Sequence, residues 1–110
     1  MVRRSFTAVI EKNTTFTGPF ETEPYETGWA GEARWFIRAI ALRGTLSVVP
    51  QISPDGLFWC DEGRAPLVID APGLHSFALR DFGSWLRLRA TLTGERPEAK
   101  VMIQLALKES

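Results

Sequence analysis

The side chains best suited to acid–base or nucleophilic chemistry are few. The chain has one His, His75, and one Cys, Cys60. A Ser-His-Asp or Cys-His mechanism would have to use His75, but no nucleophile elbow or comparable local signature surrounds either residue. We therefore predict that His75 is a polar residue at the edge of a strand and that Cys60 is a small buried apolar residue. The sequence predicts no catalytic residue.

Three carboxylates, those of Asp55, Asp61 and Glu62, lie within one predicted hairpin. Carboxylate oxygens are the ligands that calcium prefers, but the spacing is not that of an EF-hand and no acidic pattern is repeated. Ser53-Pro54-Asp55-Gly56 is instead typical of a turn, in which the Asp carboxylate accepts hydrogen bonds from nearby backbone amides. We predict this turn role for Asp55. No metal and no other cofactor is predicted.

Arginine side chains suggest binding rather than catalysis. Four of them alternate with apolar residues in their predicted strands: Arg38, Arg80, Arg87 and Arg89. If those strands are neighbours, the four side chains form an Arg-rich outer face. Such a face is either a solvated exterior with cross-strand Glu partners or a docking surface, since Arg makes bidentate contacts that are favoured at protein interfaces.

The four Trp residues divide into two groups. Trp35 and Trp85 fall within predicted strands and are expected in the core. Trp29 and Trp59 lie beside turns, where a ring can either anchor an interface or stack on a sugar. Sugar sites usually add polar amides, and the chain has very few, so interface anchoring is the favoured interpretation.

Alternation of apolar and polar residues predicts an all-β chain. Strands are predicted at residues 4–10, 34–42, 45–52, 57–60, 67–69, 74–79, 85–92 and 100–108. No stretch of eleven or more residues shows a helical period free of Gly or Pro. The prediction is a single domain, residues 1–110, built as an antiparallel two-sheet sandwich of seven to eight strands, jelly-roll-like.

The last two predicted strands have clearly separated faces. Their inward residues are predicted to be Leu86, Leu88, Ala90, Leu92, Val101, Ile103, Leu105 and Leu107. Gly94 and Pro97 lie between the two strands and predict the loop of a hairpin. The strand at 34–42 carries apolar bulk on both faces, which predicts a central position, and Arg43-Gly44 predicts a turn after it.

Residues 11–33 lack sustained alternation and are predicted to form an extended arm or an Ω-like loop. Phe16, Phe20, Tyr25 and Trp29 are interleaved there with Glu residues. A structureless connection longer than ~12–15 residues is uncommon in a compact domain unless it is functional or disordered. Because this density of aromatic residues argues against disorder, we expect the segment to lie on its own domain or on a neighbouring chain.

Composition excludes several classes of protein. An apolar fraction of 45% and a formal net charge of zero argue against a disordered tail. Binding to a nucleic-acid backbone needs a surplus of basic residues, which is absent here. No apolar run approaches the ~18 residues that a membrane helix needs, and the N-terminal residues do not resemble a signal peptide. We expect a protein made in the cytoplasm, with neither a nucleic acid nor a membrane as partner.

Two segments carry a resemblance to a known group of proteins. They are Gly44–Trp59 (GTLSVVPQISPDGLFW) and Trp85–Gly94 (WLRLRATLTG), followed by an aliphatic last strand. Over residues 34–108 the chain resembles small β-sandwich proteins of tailed bacteriophages and prophages. The resemblance implies a virion-associated component without enzymatic activity, such as a capsid decoration or cement protein, made in the host cytoplasm and located in the virion.

The same resemblance implies partners. It suggests a homo-oligomer, with a trimer as the leading expectation, that bridges subunits of a major capsid or other shell protein. The candidate anchors are Phe16, Phe20, Tyr25 and Trp29, with Arg38, Arg80, Arg87 and Arg89 as rim charges. The alternative is a carbohydrate-binding sandwich module that uses Trp59 and an arm aromatic such as Trp29 as its platform. A small jelly-roll enzyme comes third, because the chain has a single His.

Overall fold

The computed structural model describes residues 3–109, and every regular element within that range is a β-strand. The strands are β1 (Ser5–Phe16), β2 (Phe20–Glu21), β3 (Tyr25–Glu26), β4 (Glu32–Ser53), β5 (Cys60–Asp61), β6 (Leu67–Ile69), β7 (Gly73–Arg80) and β8 (Trp85–Lys108). All of their pairings are antiparallel. The predicted fold class is therefore confirmed.

Two long strands, β4 and β8, organise the molecule. They pair along their whole length, from Glu32 opposite Lys108 to Ser53 opposite Trp85. A straight strand of 22 residues, the length of β4, would extend ~70 Å, whereas the longest dimension of the molecule is 49 Å. Arg80, the last residue of β7, lies opposite Glu32 at one end of this ribbon, and Trp85 lies opposite Ser53 at the other end. Residues 81–84 join Arg80 to Trp85, and four residues span at most ~15–20 Å. The ribbon therefore folds back on itself.

The bend lies where Gly44 of β4 meets Gly94 of β8. Gly44 has φ +96°, and a Cβ at this position would collide with the carbonyl oxygen of Thr93. Register shifts between Ala39 and Ala41 and between Arg43 and Thr45 add bulges at the same place. Bulges bend a strand and change which residues of its alternation face inward.

The folded ribbon gives two layers around one core. In the first layer, β7, the first half of β4, the second half of β8 and β1 lie side by side. In the second layer, the remaining halves of β4 and β8 are flanked by β5 and β6 on one side and by β2 and β3 on the other. The core includes Trp35, Ile37, Leu46, Val48, Ile69, Phe77 and Leu79 together with all eight inward residues predicted for β8.

The predicted C-terminal hairpin is wrong. The chain does not reverse at Gly94 and Pro97; it continues within β8, whose two halves pair with different halves of β4. The predicted turn at Arg43-Gly44 is also wrong, because the chain continues through it within β4. Gly and Pro suit a bend within a strand as well as a reversal, and only pairing with a distant strand decides between them. The central position of β4, between β7 and β8, is confirmed.

Two smaller predictions about the second layer also need correction. The strand predicted at 57–60 is reduced to Cys60–Asp61, because the preceding residues form a loop. Cys60, predicted to be buried, is exposed. The physical reason is that β5 is a two-residue strand at the margin of the sheet, where a side chain has few neighbours.

His75 lies half-buried in β7 of the first layer, and β7 pairs with β4.

Candidate docking surfaces

The four aromatic residues predicted as anchors pack against the core of their own chain. Phe16, Phe20, Tyr25 and Trp29 are all half-buried there. Phe16 and Phe20 stack with ring centroids 3.7 Å apart, and the guanidinium of Arg4 lies 4.1 Å from the centroid of a Trp29 ring. Because these rings already have partners within the chain, little of their surface is free to bind another protein.

Residues 11–33 run alongside β8. They are held there by the pairing of β1, β2 and β3 with β8 and by hydrogen bonds of the buried Thr22 and Thr27. The backbone amide of Thr22 donates to the Leu88 carbonyl, and its Oγ1 accepts from the Leu88 amide, both at 2.9 Å. The Thr27 amide donates to the Ser84 carbonyl at 2.6 Å, and the Gly31 amide to the Lys108 carbonyl at 3.0 Å. The segment is therefore attached to both layers. No sequence signal identified these threonines, because isolated hydroxyl residues among Gly and Pro look like a loop.

The four predicted arginines do not share one face. Arg38 and Arg80 lie on the outer side of the first layer, whereas Arg87 and Arg89 lie on the outer side of the second. Arg80 forms an ion pair with Glu32 at 2.8 Å. Arg38 is exposed and lies in register between β7 and β8. The predicted continuous Arg-rich face is wrong, since its members belong to halves of β4 and β8 on either side of the bend.

Arg87 is at the centre of a polar network. It forms an ion pair with Glu21 at 2.7 Å, its Nε donates to Oε1 of Gln51 at 2.8 Å, and its guanidinium lies 4.3 Å from the centroid of the Trp59 ring. Arg89 makes only a longer contact of 3.5 Å with Asp61. A guanidinium thus covers one face of Trp59, as Arg4 covers Trp29, and a sugar would have to stack on the opposite face of either ring.

Residues 54–59 are here called the apolar loop. Of the large apolar side chains in residues 3–109, the two most exposed lie in this loop. Leu57 and Phe58 are each 77% exposed. Their backbone is held from below: Oδ1 of Asp55 accepts from the amides of Leu57 and Phe58 at 2.9 and 3.0 Å. The Oγ of Ser53 accepts from the amides of Asp55 and Gly56 at 3.2 and 2.8 Å. Two apolar side chains are therefore presented on a pre-ordered loop.

The turn role predicted for Asp55 is confirmed. Hydrogen bonds from the Phe58 and Leu57 amides are the main causes that lower the pKa of its carboxyl below the usual 3.8. The carboxylate therefore stays ionised at neutral pH and holds the loop. Sequence reasoning missed Leu57 and Phe58 as surface residues because it assigned them to a strand. The sequence signal for their exposure was that Leu57 and Phe58 are adjacent and directly follow the turn, so that apolar and polar residues do not alternate there as in a half-buried strand.

A second surface, here called the basic hollow, lies on the outer side of the first layer. Its volume is about 310 Å³. Its apolar lining includes Phe36, Ala78 and Ala106, and its charged lining includes Glu32, Arg34, Arg80 and Lys108. Ala78, Arg34 and Ala106 form one row across β7, β4 and β8, with Arg34 in the middle. Since Glu32 is already paired with Arg3 and Arg80, the lining presents positive charge.

Residues 3–109 contain neither a cluster of metal ligands nor a membrane-spanning helix. No group of three or more His, Cys, Asp or Glu side chains there could hold a metal ion. No helix in the same range is long and apolar enough to cross a membrane.

Comparison with known proteins shows similarity of fold without similarity of sequence. No protein-family model matches the chain, and no curated protein matches it. It is similar to the SPBc2 prophage-derived protein YomS, with a TM-score of 0.68 at 8% identity over 99% of this chain and 96% of that one. It is also similar to the PBSX exported protein XepA, with a TM-score of 0.63 at 10% identity over 99% of this chain.

A third similar structure is a chain of infectious bursal disease virus, Gt strain, with a TM-score of 0.58 at 8% identity over 97% of this chain. The similarity spans only 37% of XepA and 32% of the virus chain. At these identities the similarity shows the fold alone. The sandwich formed by the folded β4–β8 ribbon is therefore one that prophage-derived and viral proteins also use.

Proposed function

We propose that this chain is a non-enzymatic structural component of a phage or virus-like particle, a decoration-type protein that binds neighbouring shell subunits. The observation that carries the proposal is the apolar loop, in which Leu57 and Phe58 are held in the open by hydrogen bonds to Asp55. Aromatic side chains such as that of Phe58 are enriched at interfaces between chains, and a side chain that is fixed before binding loses little conformational entropy there. The fold, which is similar to that of YomS along nearly all of both chains, supports the same interpretation.

The proposed action is adhesion. A protein that binds only the assembled shell stabilises it, because its contacts must break before the subunits separate. Repetition of a modest contact by several linked copies strengthens attachment without any new contact type. No reaction step is part of this function, and His75 and Cys60 have no role in it.

The experiment uses particles from cells that carry the gene, compared with particles from a deletion strain. We expect the protein to co-purify with particles in many copies, and deletion particles to release their contents at a lower temperature. Recovery of the protein only in the soluble fraction, with particles of unchanged thermal stability, would contradict the proposal. Glycan binding that is lost in Trp59→Ala, with the fold intact, would favour the carbohydrate-binding alternative.

A further inference from the structure

We propose that the apolar loop of one copy of this chain inserts into the basic hollow of a second copy, so that the protein self-associates head to tail. The proposal rests on the proposed function and deepens it: the loop joins copies of this chain, and the joined copies attach to the shell at several points through their other surfaces. It depends on two features of the chain that are complementary in shape, polarity and charge.

The apolar loop has the character of an inserting element. Leu57 and Phe58 project with 77% of their surface exposed, on a backbone that Ser53 and Asp55 hold in place. Residues 54–62 contain three acidic residues and no basic one. Asp61 contacts Arg89, whereas Asp55 and Glu62 form no ion pair with any residue between 3 and 109. Because the loop is already ordered, little conformational entropy is lost when it binds.

The basic hollow has the character of a receptor. Phe36, Ala78 and Ala106 give it an apolar lining, and a volume of about 310 Å³ suffices for a leucine and a phenylalanine side chain. Arg34, between Ala78 and Ala106, donates to Oγ of Ser76 at 2.9 Å. Neither Arg34 nor Lys108 forms an ion pair with any residue between 3 and 109. These cations complement the carboxylates beside the loop.

The hollow lies on the outer side of the first layer, whereas Trp59 of the loop lies over Arg87 on the outer side of the second. Two copies therefore cannot bury both loops and both hollows in one interface, so the contact is heterologous. No residue of the apolar loop lines the hollow of its own chain, which leaves both surfaces open to other copies. A heterologous contact forms a closed ring when its rotation closes, and an open filament when it does not. A small ring agrees with the expectation of a trimer.

The first experiment measures the mass of the purified protein by light scattering after size exclusion, across the micromolar range. We expect the wild type to form a discrete oligomer of the 12.3 kDa chain. The variants Leu57→Asp/Phe58→Asp and Arg34→Glu/Lys108→Glu should each weaken self-association roughly 30-fold or more, as loss of an interface hot spot does. All four side chains are on the surface, so both variants should fold.

Mixing the two variants provides the decisive test. The loop variant retains an intact hollow, and the hollow variant retains an intact loop. Their mixture should therefore form a 1:1 heterodimer with twice the chain mass and nothing larger, because each partner has lost its other surface. A symmetric interface, or one elsewhere on the molecule, would not give this rescue.

Matched controls are Val68→Asp, which places a charge on another apolar residue that is 59% exposed, and Lys12→Glu/Lys100→Glu, which reverses two exposed cations outside the hollow. Both should associate like the wild type. A monomeric wild type, an oligomer that both double variants retain, or a mixture that stays monomeric would overturn the proposal. Self-association is measured on the purified protein, and shell binding is measured on particles. Either result can therefore be negative while the other is positive.

Discussion

At the residue scale, a single carboxylate holds the loop that we propose as a contact surface. Oδ1 of Asp55 accepts the amide hydrogens of Leu57 and Phe58, and these bonds are stronger to the ionised form than to the protonated one. Because they lower the pKa of Asp55 below 3.8, their stabilisation is complete above that value and is lost as the pH falls through the lower pKa of the folded protein. The shape of the apolar loop should therefore be constant at neutral pH and change only in acid.

An acid titration followed by NMR tests this directly. We expect the amide signals of Leu57 and Phe58 to shift together with a midpoint below 3.8, since protonation of Asp55 weakens their acceptor. In Asp55→Asn this acid transition should be absent. A midpoint at or above the ordinary value would show that these amides do not hold the carboxylate.

Arg87 and Arg89 offer a comparison between two arginines on the same strand and face. The Arg87 side chain is 20% exposed and has three partners, whereas Arg89 is 46% exposed with one contact at 3.5 Å. We expect Arg87→Ala to lower the free energy of unfolding by about 1–2 kcal/mol and Arg89→Ala by less than about 0.5 kcal/mol.

Urea unfolding of both arginine variants provides the measurement. Arg87→Lys should recover only part of the loss, because a lysine keeps the charge but not the planar contacts with Glu21, Gln51 and Trp59. Equal losses in Arg87→Ala and Arg89→Ala would show that the network contributes nothing beyond an ordinary surface pair.

At the scale of elements, the alternation of residues predicted the faces of strands well and their partners poorly. Leu86, Leu88, Val101 and Ile103 are buried as predicted, because the side of a strand on which a residue lies depends only on local period. Which strand pairs with which depends on contacts between distant residues, and the sequence around Gly94 is compatible with either a reversal or a bend. The hairpin prediction failed for that reason.

The positions of the candidate binding residues depend on distant contacts in a related way. Phe16 and Phe20 belong to a segment expected to lie on its own domain or on a neighbouring chain, and the structure places them on their own sheet, where they stack. The basic hollow could not be predicted, because Ala78, Arg34 and Ala106 meet only once β7, β4 and β8 are in register. The turn at Asp55 was predictable, since its signals are adjacent in sequence.

The bend itself yields a prediction. Gly44→Ala should lower the free energy of unfolding by at least about 2 kcal/mol, because φ +96° is unfavourable for alanine and its Cβ would collide with the Thr93 carbonyl oxygen. Gly18→Ala is the control, since that position has open space and no left-handed φ. Thermal or urea unfolding of the two variants measures the difference, and a loss at Gly44 no greater than at Gly18 would contradict the proposed role of the bend.

At the scale of the whole molecule, the two layers cannot be separated, because both are made from β4 and β8. We therefore expect a single cooperative unfolding transition. The amide signals of Ile37 in the first layer and Leu88 in the second should disappear at the same urea concentration. Two distinct midpoints would show that the layers unfold independently despite their shared strands.

The pairing of β1 with β8 has a mechanical consequence. Ser5 lies opposite Lys108, so a load that pulls these two residues apart meets the hydrogen bonds of the ladder one after another rather than all together. Such a load would peel β1 away at low force, beginning at Ser5. Tension applied between β4 and β8 along their length would instead shear many bonds at once, so the molecule should resist strain far better in that direction.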